Sequence, residues 1–181
     1  MLLEILSYIY FLSPAGLGNM APVFAHKLFP KFNHPADFNL KLGGKRIFGA
    51  HKTLRGLLAG TIIGILVAYL QKMLYSTAFF SSISIIDYSS VNILLLGFLM
   101  GFGAIAGDMI ESFFKRRLNI KPGQKFIPFD QTDWILGMII FTSFVYVYTL
   151  STVVFLIITA FVLHILFRFL GYHLKISKEL W

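Results

Sequence analysis

The chain contains no cysteine, which excludes a disulfide framework, thiolate metal sites, iron–sulfur ligation and a cysteine nucleophile. Charge is almost as scarce. Only 13% of the 181 residues are charged, about half of what a soluble domain carries, whereas 57% are hydrophobic and the mean hydropathy is +0.76. A soluble globular protein is thereby excluded. The apolar stretches supply about five spans of about 20 residues each and little else, so the expected class is an all-α integral membrane protein forming one membrane domain over 1–181. No Lys or Arg precedes the first apolar stretch, so it lacks the positive start of a secretory signal.

Five transmembrane helices are expected over approximately 2–27, 57–71, 91–114, 134–150 and 152–170, joined by long polar loops at 28–56 and 115–133. The first span contains Pro14, Gly16, Gly18, Asn19 and Pro22, which predicts a broken helix lining a cavity with Asn19 facing inward. The segment 71–90 is Ser-rich and reads as an interfacial loop. The run from Trp134 to Leu170 is too long for one span and predicts a helical hairpin turning near 150–152.

Of the 16 Lys and Arg residues, seven lie in 26–56, five in 113–132, three after Phe167 and one, Lys72, in the 71–90 loop. Five alternating spans put fifteen of them on one side. The positive-inside rule makes that side the cytoplasm, with the N-terminus outside and the C-terminus cytoplasmic. The formal net charge of +8 is then topology and phosphate chemistry, with no nucleic-acid partner expected.

Acidic residues discriminate more sharply. Four of the eight Asp and Glu lie between Asp108 and Asp133. On a helix Asp108, Glu111, Ser112 and Lys115 share one face, and a Pro122-Gly123 turn lets Asp130 and Asp133 fold back toward them. Ion pairing at a helix end and first-turn capping explain these residues singly. Taken together, with five cations interleaved, they point to a metal and phosphate site: four hard oxygen ligands, Asp108, Glu111, Asp130 and Asp133, suited to Mg²⁺. Lys52, Thr53 and Arg55 stand at the start of the second span, where a helix N-terminus favours an anion; snorkelling cations explain them equally. Gly44 to Gly56 fails the spacing of a P-loop. His164 and Arg168, one turn apart in the last span, either snorkel or meet a lipid phosphate.

The pattern Gly107-Asp108-x-x-x-Ser112-x-x-Lys115-Arg116, then Lys121-Pro122-Gly123 and Asp130-Gln131-x-Asp133-Trp134, resembles the signature region of CDP-archaeol synthases, which are similar to bacterial phosphatidate cytidylyltransferases. Lys52-Thr53-x-Arg55-Gly56 and Asn19-Met20-Ala21-Pro22 resemble further stretches of that family, with Lys45 where an Arg is usual and Ala50-His51 where Asp-Gly or Glu-Asn is common. The resemblance implies transfer of CMP from CTP to an unsaturated archaetidic acid, an ether-lipid phosphate, releasing pyrophosphate in an archaeal cell membrane. It further implies catalytic roles for Asp108, Lys115 and Asp133. Lys52, Thr53, Arg55, Ser112, Lys115, Arg116, Lys121 and Gly123 would hold the nucleotide phosphates. A divalent-cation channel or transporter would need a continuous polar path, and 134–170 is almost wholly apolar. A phosphatidate cytidylyltransferase is the nearer alternative.

The orientation is testable because the chain has no native Cys. Ser82→Cys should react with an impermeant thiol reagent from outside, and Asn39→Cys only after the membrane is opened. The reverse pattern would overturn it.

Overall fold

The computed structural model describes residues 2–121 and 124–173. Helix α1 (Leu2–Leu28) leads into a polar segment bearing a small antiparallel hairpin, β1 (Lys41–Leu42) and β2 (Lys45–Arg46), in which Lys41 pairs with Arg46 and Leu42 with Lys45. Then follow α2 (Leu54–Leu74), the short α3 (Ala78–Ser82), α4 (Ile93–Arg117), α5 (Phe129–Thr142) and α6 (Leu150–His173). Helices α2, α4 and α6 are long and apolar enough to cross a membrane. At 14 residues α5 is about 21 Å long, short of the about 30 Å of a hydrocarbon core.

Local signals define the helix ends. Thr53 has extended backbone and its Oγ1 accepts the Gly56 N–H at 3.2 Å, capping α2. Asn92 caps α4 in the same way through Leu95 N–H at 3.2 Å. At the other end of α4, Lys115, Arg116 and Arg117 complement the helix dipole. Asn119 takes the left-handed conformation there (φ 61°), and Ile120 N–H returns to the Lys115 carbonyl at 2.9 Å, which closes the helix.

Several expectations are corrected. Helix α1 is continuous through Pro14 and Pro22 and is not broken. Pro14 has no N–H for the Tyr10 carbonyl, and that carbonyl instead accepts from Gln71 Nε2 of α2 at 2.5 Å and from Ser13 Oγ at 2.8 Å. Gln71 Oε1 in turn accepts the hydroxyl of the fully buried Tyr88 at 2.9 Å. The freed backbone group is thus satisfied by a neighbouring helix, and helical structure continues past the proline. Asp130 and Asp133 belong to α5, not to the loop before it, and the turn between α5 and α6 lies at 143–149, before the expected 150–152. The hairpin β1–β2 adds a strand pair to an otherwise helical chain.

Helix α4 is the centre of the packing, flanked by α2 and α5, with α1 across α2 and α4. Its neighbours come close because glycines face one another. A side chain at Gly64 would meet the Gly101 Cα at 2.6 Å, and one at Gly107 would collide with the Asp133 carbonyl oxygen. Phe11, Leu12, Leu96, Met100, Ile135, Met138 and Leu156 fill the apolar core beside these contacts. Helix α6 is peripheral, buried chiefly at Leu156 and Ala160.

Gln71→Leu should destabilise the protein by about 1–3 kcal/mol, because it strands the buried Tyr88 hydroxyl. Tyr88→Phe in that background should add little, measured by reversible unfolding in detergent. A Gln71→Leu protein as stable as the parent would show that the network contributes nothing.

Candidate active site

The close approach of α4 to α5 brings carboxylates together. Asp108 and Glu111 of α4 and Asp133 of α5 each offer an oxygen, and these oxygens lie within 4.8 Å of one another. Glu111 is buried and the other two half-buried. Three like charges at this separation, partly out of water, are unfavourable unless cations share the space. Lys52 supplies one cation, its Nζ lying 2.6 and 2.5 Å from the two Asp108 oxygens. Lys115 supplies another, 2.9 Å from Glu111 Oε1 and bonded on its other side to Asp130.

Asp130, expected among the metal ligands, stands outside the group of three. It accepts from Lys115 and, at 2.6 Å, from the Phe126 N–H, which ties the start of α5 to the end of α4. Asp133 accepts the Trp134 N–H at 2.7 Å.

These groups line a polar cavity of about 460 Å³ together with Ser112, Arg116, Phe48, Gly49, His51 and Lys125. An apolar groove of about 500 Å³ runs beside it between α1 and α6, walled by Leu12, Leu17, Val23, Trp134, Leu163 and Phe167. The cavity and the groove share Asn19, His164 and Arg168, so they meet at these three side chains.

The remaining expected residues are placed differently. Thr53 and Arg55 line a separate space of about 290 Å³ behind the Lys52–Asp108 pair. The Arg55 guanidinium, buried to 5% exposure, donates to the Phe29 carbonyl at 2.6 Å and the Asn33 side-chain oxygen at 3.3 Å, and meets His26 Nδ1 at 2.7 Å. In this arrangement it joins the end of α1 to the start of α2. Lys121 is exposed, its backbone N–H donating to Gln124 Oε1 at 2.8 Å. Gly123 lies outside the described residues. Sequence reasoning did not single out Phe48, Gly49 or Lys125, and the only local signal for them was their nearness to Lys52 and Lys121.

The polar loop is latched to α4. Arg117 Nη1 donates to the Leu42 carbonyl at 2.5 Å and Nη2 to the Arg46 carbonyl at 3.2 Å, while its guanidinium lies 4.6 Å from the centre of the Phe113 ring. A cationic helix end thereby satisfies the hairpin carbonyls and ties the hairpin to the end of α4.

Comparison with known proteins places this arrangement. The model of the CarS-like family, CDP-archaeol synthase, matches residues 1–181. CDP-archaeol synthase of Pyrococcus furiosus is 31% identical over 178 residues, covering 98% of each chain. That of Sulfolobus acidocaldarius is 30% identical over 183 residues, again covering 98% of each chain. A solved structure, described as an intramembrane enzyme for archaeal membrane lipid biosynthesis, superposes with a TM-score of 0.71 at 27% identity, covering 88% of this chain and 91% of that one. Family match, relatives and fold agree: the chain belongs to the CarS-like family of CDP-archaeol synthases.

Proposed function

We propose that this protein transfers CMP from CTP to the phosphate of unsaturated archaetidic acid, 2,3-bis-O-geranylgeranylglyceryl 1-phosphate, giving the CDP-lipid and pyrophosphate. The observation that carries this reading is the meeting of a charged cavity with an apolar groove at Asn19, His164 and Arg168. Such a junction suits one substrate that is all charge and another that is a phosphate on two long hydrocarbon tails. The tails would lie in the groove, where a bilayer-soluble chain loses nothing by leaving the lipid, and the phosphate would come to rest near His164 and Arg168.

Lys52 and Lys115 are the cations best placed for the CTP phosphates, with Arg116, Ser112 and Lys125 around them. Both ammonium groups sit against carboxylates and can exchange part of that pairing for phosphate oxygens. A lipid phosphate oxygen attacks the α-phosphorus of CTP, and the bond to the β-phosphate oxygen breaks. Its electron pair leaves on pyrophosphate. The second pKa of a phosphate monoester is about 6, so the nucleophile is already anionic near neutrality and no strong general base is required. The work of the protein is positioning and charge neutralisation.

The donor set fits a hard divalent ion. Asp108, Glu111 and Asp133 offer only carboxylate oxygens and no competing nitrogen or sulfur ligand, as Mg²⁺ prefers. Bound there, Mg²⁺ would neutralise nucleotide phosphate charge. Asp130 we assign to holding Lys115 in place for the phosphates.

In the membrane we infer one domain of five spans, with α1 and the short α5 crossing through their packing against α4. The charged cavity then opens to the cytoplasm, where CTP is available, and the groove opens sideways to the bilayer.

The ligand role of Asp133 is separable from its place in the first turn of α5. Asp133→Asn preserves size and the hydrogen bond from Trp134 N–H but removes a carboxylate. CDP-lipid formation should fall by about 100-fold or more at limiting Mg²⁺, with partial recovery at high Mg²⁺ or with Mn²⁺. A folded Asp133→Asn protein with the parent rate at limiting Mg²⁺ would remove Asp133 from the ligand set.

A further inference from the structure

We propose that Asp37, which touches none of the proposed substrate positions, is a positioning residue that sets nucleotide affinity by holding the Phe48–Lys52 wall of the polar cavity. This rests on the assignment of that cavity to CTP.

The side chain of Asp37 is completely buried in a loop that is otherwise mostly exposed. Its Oδ1 accepts from Arg46 Nη2 at 2.5 Å and from the Asn39 N–H at 3.1 Å. Its Oδ2 accepts from Arg46 Nε at 3.3 Å and from the backbone N–H groups of Phe48 at 3.2 Å and Gly49 at 3.1 Å. One carboxylate therefore gathers five donors, two of them from the backbone of residues that line the cavity. Gly49 sits at φ 102°, a conformation open to glycine and strained for other residues, and its N–H is one of those that Asp37 gathers.

The segment around Asp37 also grips the far end of the same wall. Ala36 N–H donates to the Lys52 carbonyl at 2.8 Å, and Leu54 N–H donates to the His34 carbonyl at 2.9 Å. Residues 34–37 thus brace 48–54 at both ends, and Lys52 leaves this brace to reach Asp108. If the brace loosens, the Lys52 ammonium loses its fixed origin and the Phe48–Gly49 surface can collapse. The apolar groove has no lining residue in this loop, so lipid binding should be untouched.

The charge itself matters. Burial alone would raise the Asp37 pKa, but the Arg46 guanidinium and the N–H groups of Gly49, Phe48 and Asn39 outweigh it and hold the carboxyl at about 2. The stabilisation from this depressed pKa is fully present above the ordinary value of 3.8 and is lost only as pH falls through about 2. Asp37 is therefore ionised at every pH at which the enzyme would be assayed. An amide at this position keeps the volume, yet it turns an NH₂ toward N–H donors and leaves Arg46 without its counter-charge.

The test uses the full-length protein in detergent, with equilibrium CTP binding, KM for CTP, KM for the lipid phosphate and melting temperature measured for the parent, Asp37→Asn and Arg46→Met. Asp37→Asn should weaken CTP binding and raise its KM by about tenfold or more, with the lipid KM within about twofold of the parent. Arg46→Met leaves the three backbone donors on Asp37 and should cause a smaller rise in the same KM. It also keeps the proposal testable if the amide variant fails to fold. Parent-like CTP binding in a folded Asp37→Asn protein, equal rises in both KM values, or an unchanged CTP KM in Arg46→Met would overturn the proposal. A parent protein that binds no CTP would instead overturn the assignment of the cavity.

Discussion

The site depends on how closely α5 can lie against α4. At Gly107 and Gly137 each helix lacks the atom that would keep the other away, and the Asp133 carbonyl rests where a side chain of residue 107 would be. Only at that separation do the carboxylates of Asp108, Glu111 and Asp133 share a volume small enough for one ion. The same device on the opposite face, Gly64 against Gly101, presses α2 onto α4 and brings the start of α2, with Lys52 just before it, over Asp108. In a bilayer, where apolar surface gains little by leaving lipid for protein, close backbone contact of this kind is a principal source of helix association. Packing and chemistry therefore rest on one set of small residues.

Charge balance follows from that geometry. Gathering three carboxylates beside an apolar groove would be costly, and the chain offsets this with Lys52 from the polar loop and Lys115 from the last turn of the central helix. Arg117 latches the hairpin to α4 and Asp130 latches Lys115 to α5, so the electrostatic pairs are also the structural ties at this end of the molecule. In a site built in this way the positive groups are held in place by the negative ones.

Much of this was legible along the chain. Hydropathy located α2, α4 and α6, and helical spacing put Asp108, Glu111, Ser112 and Lys115 on one face, which the structure turns toward the cavity. The prolines of α1 misled because their effect depends on a remote residue: Gln71, 61 positions from Tyr10, satisfies the carbonyl that Pro14 leaves open. Asp130 was expected beside the other three carboxylates, and spacing alone could not show that it pairs with Lys115 and stands outside the group formed by Asp108, Glu111 and Asp133. Asp37 was invisible as a functional residue, a single acid in a basic loop whose partners at 46, 48 and 49 converge only when the hairpin forms. The paired glycines at four-residue spacing, Gly60 with Gly64, Gly97 with Gly101 and Gly103 with Gly107, were present in the sequence and marked the close faces of α2 and α4.

The proposed reaction requires two substrates to meet where the charged cavity joins the apolar groove. Purified protein in detergent, given labelled CTP, Mg²⁺ and either the geranylgeranyl ether-lipid phosphate or a bacterial ester-lipid phosphate, tests this most directly. The expected result is CDP-lipid and pyrophosphate in equal amounts from the ether lipid, at a higher rate than from the ester lipid. No CDP-lipid from either substrate, with CTP left intact, would contradict it.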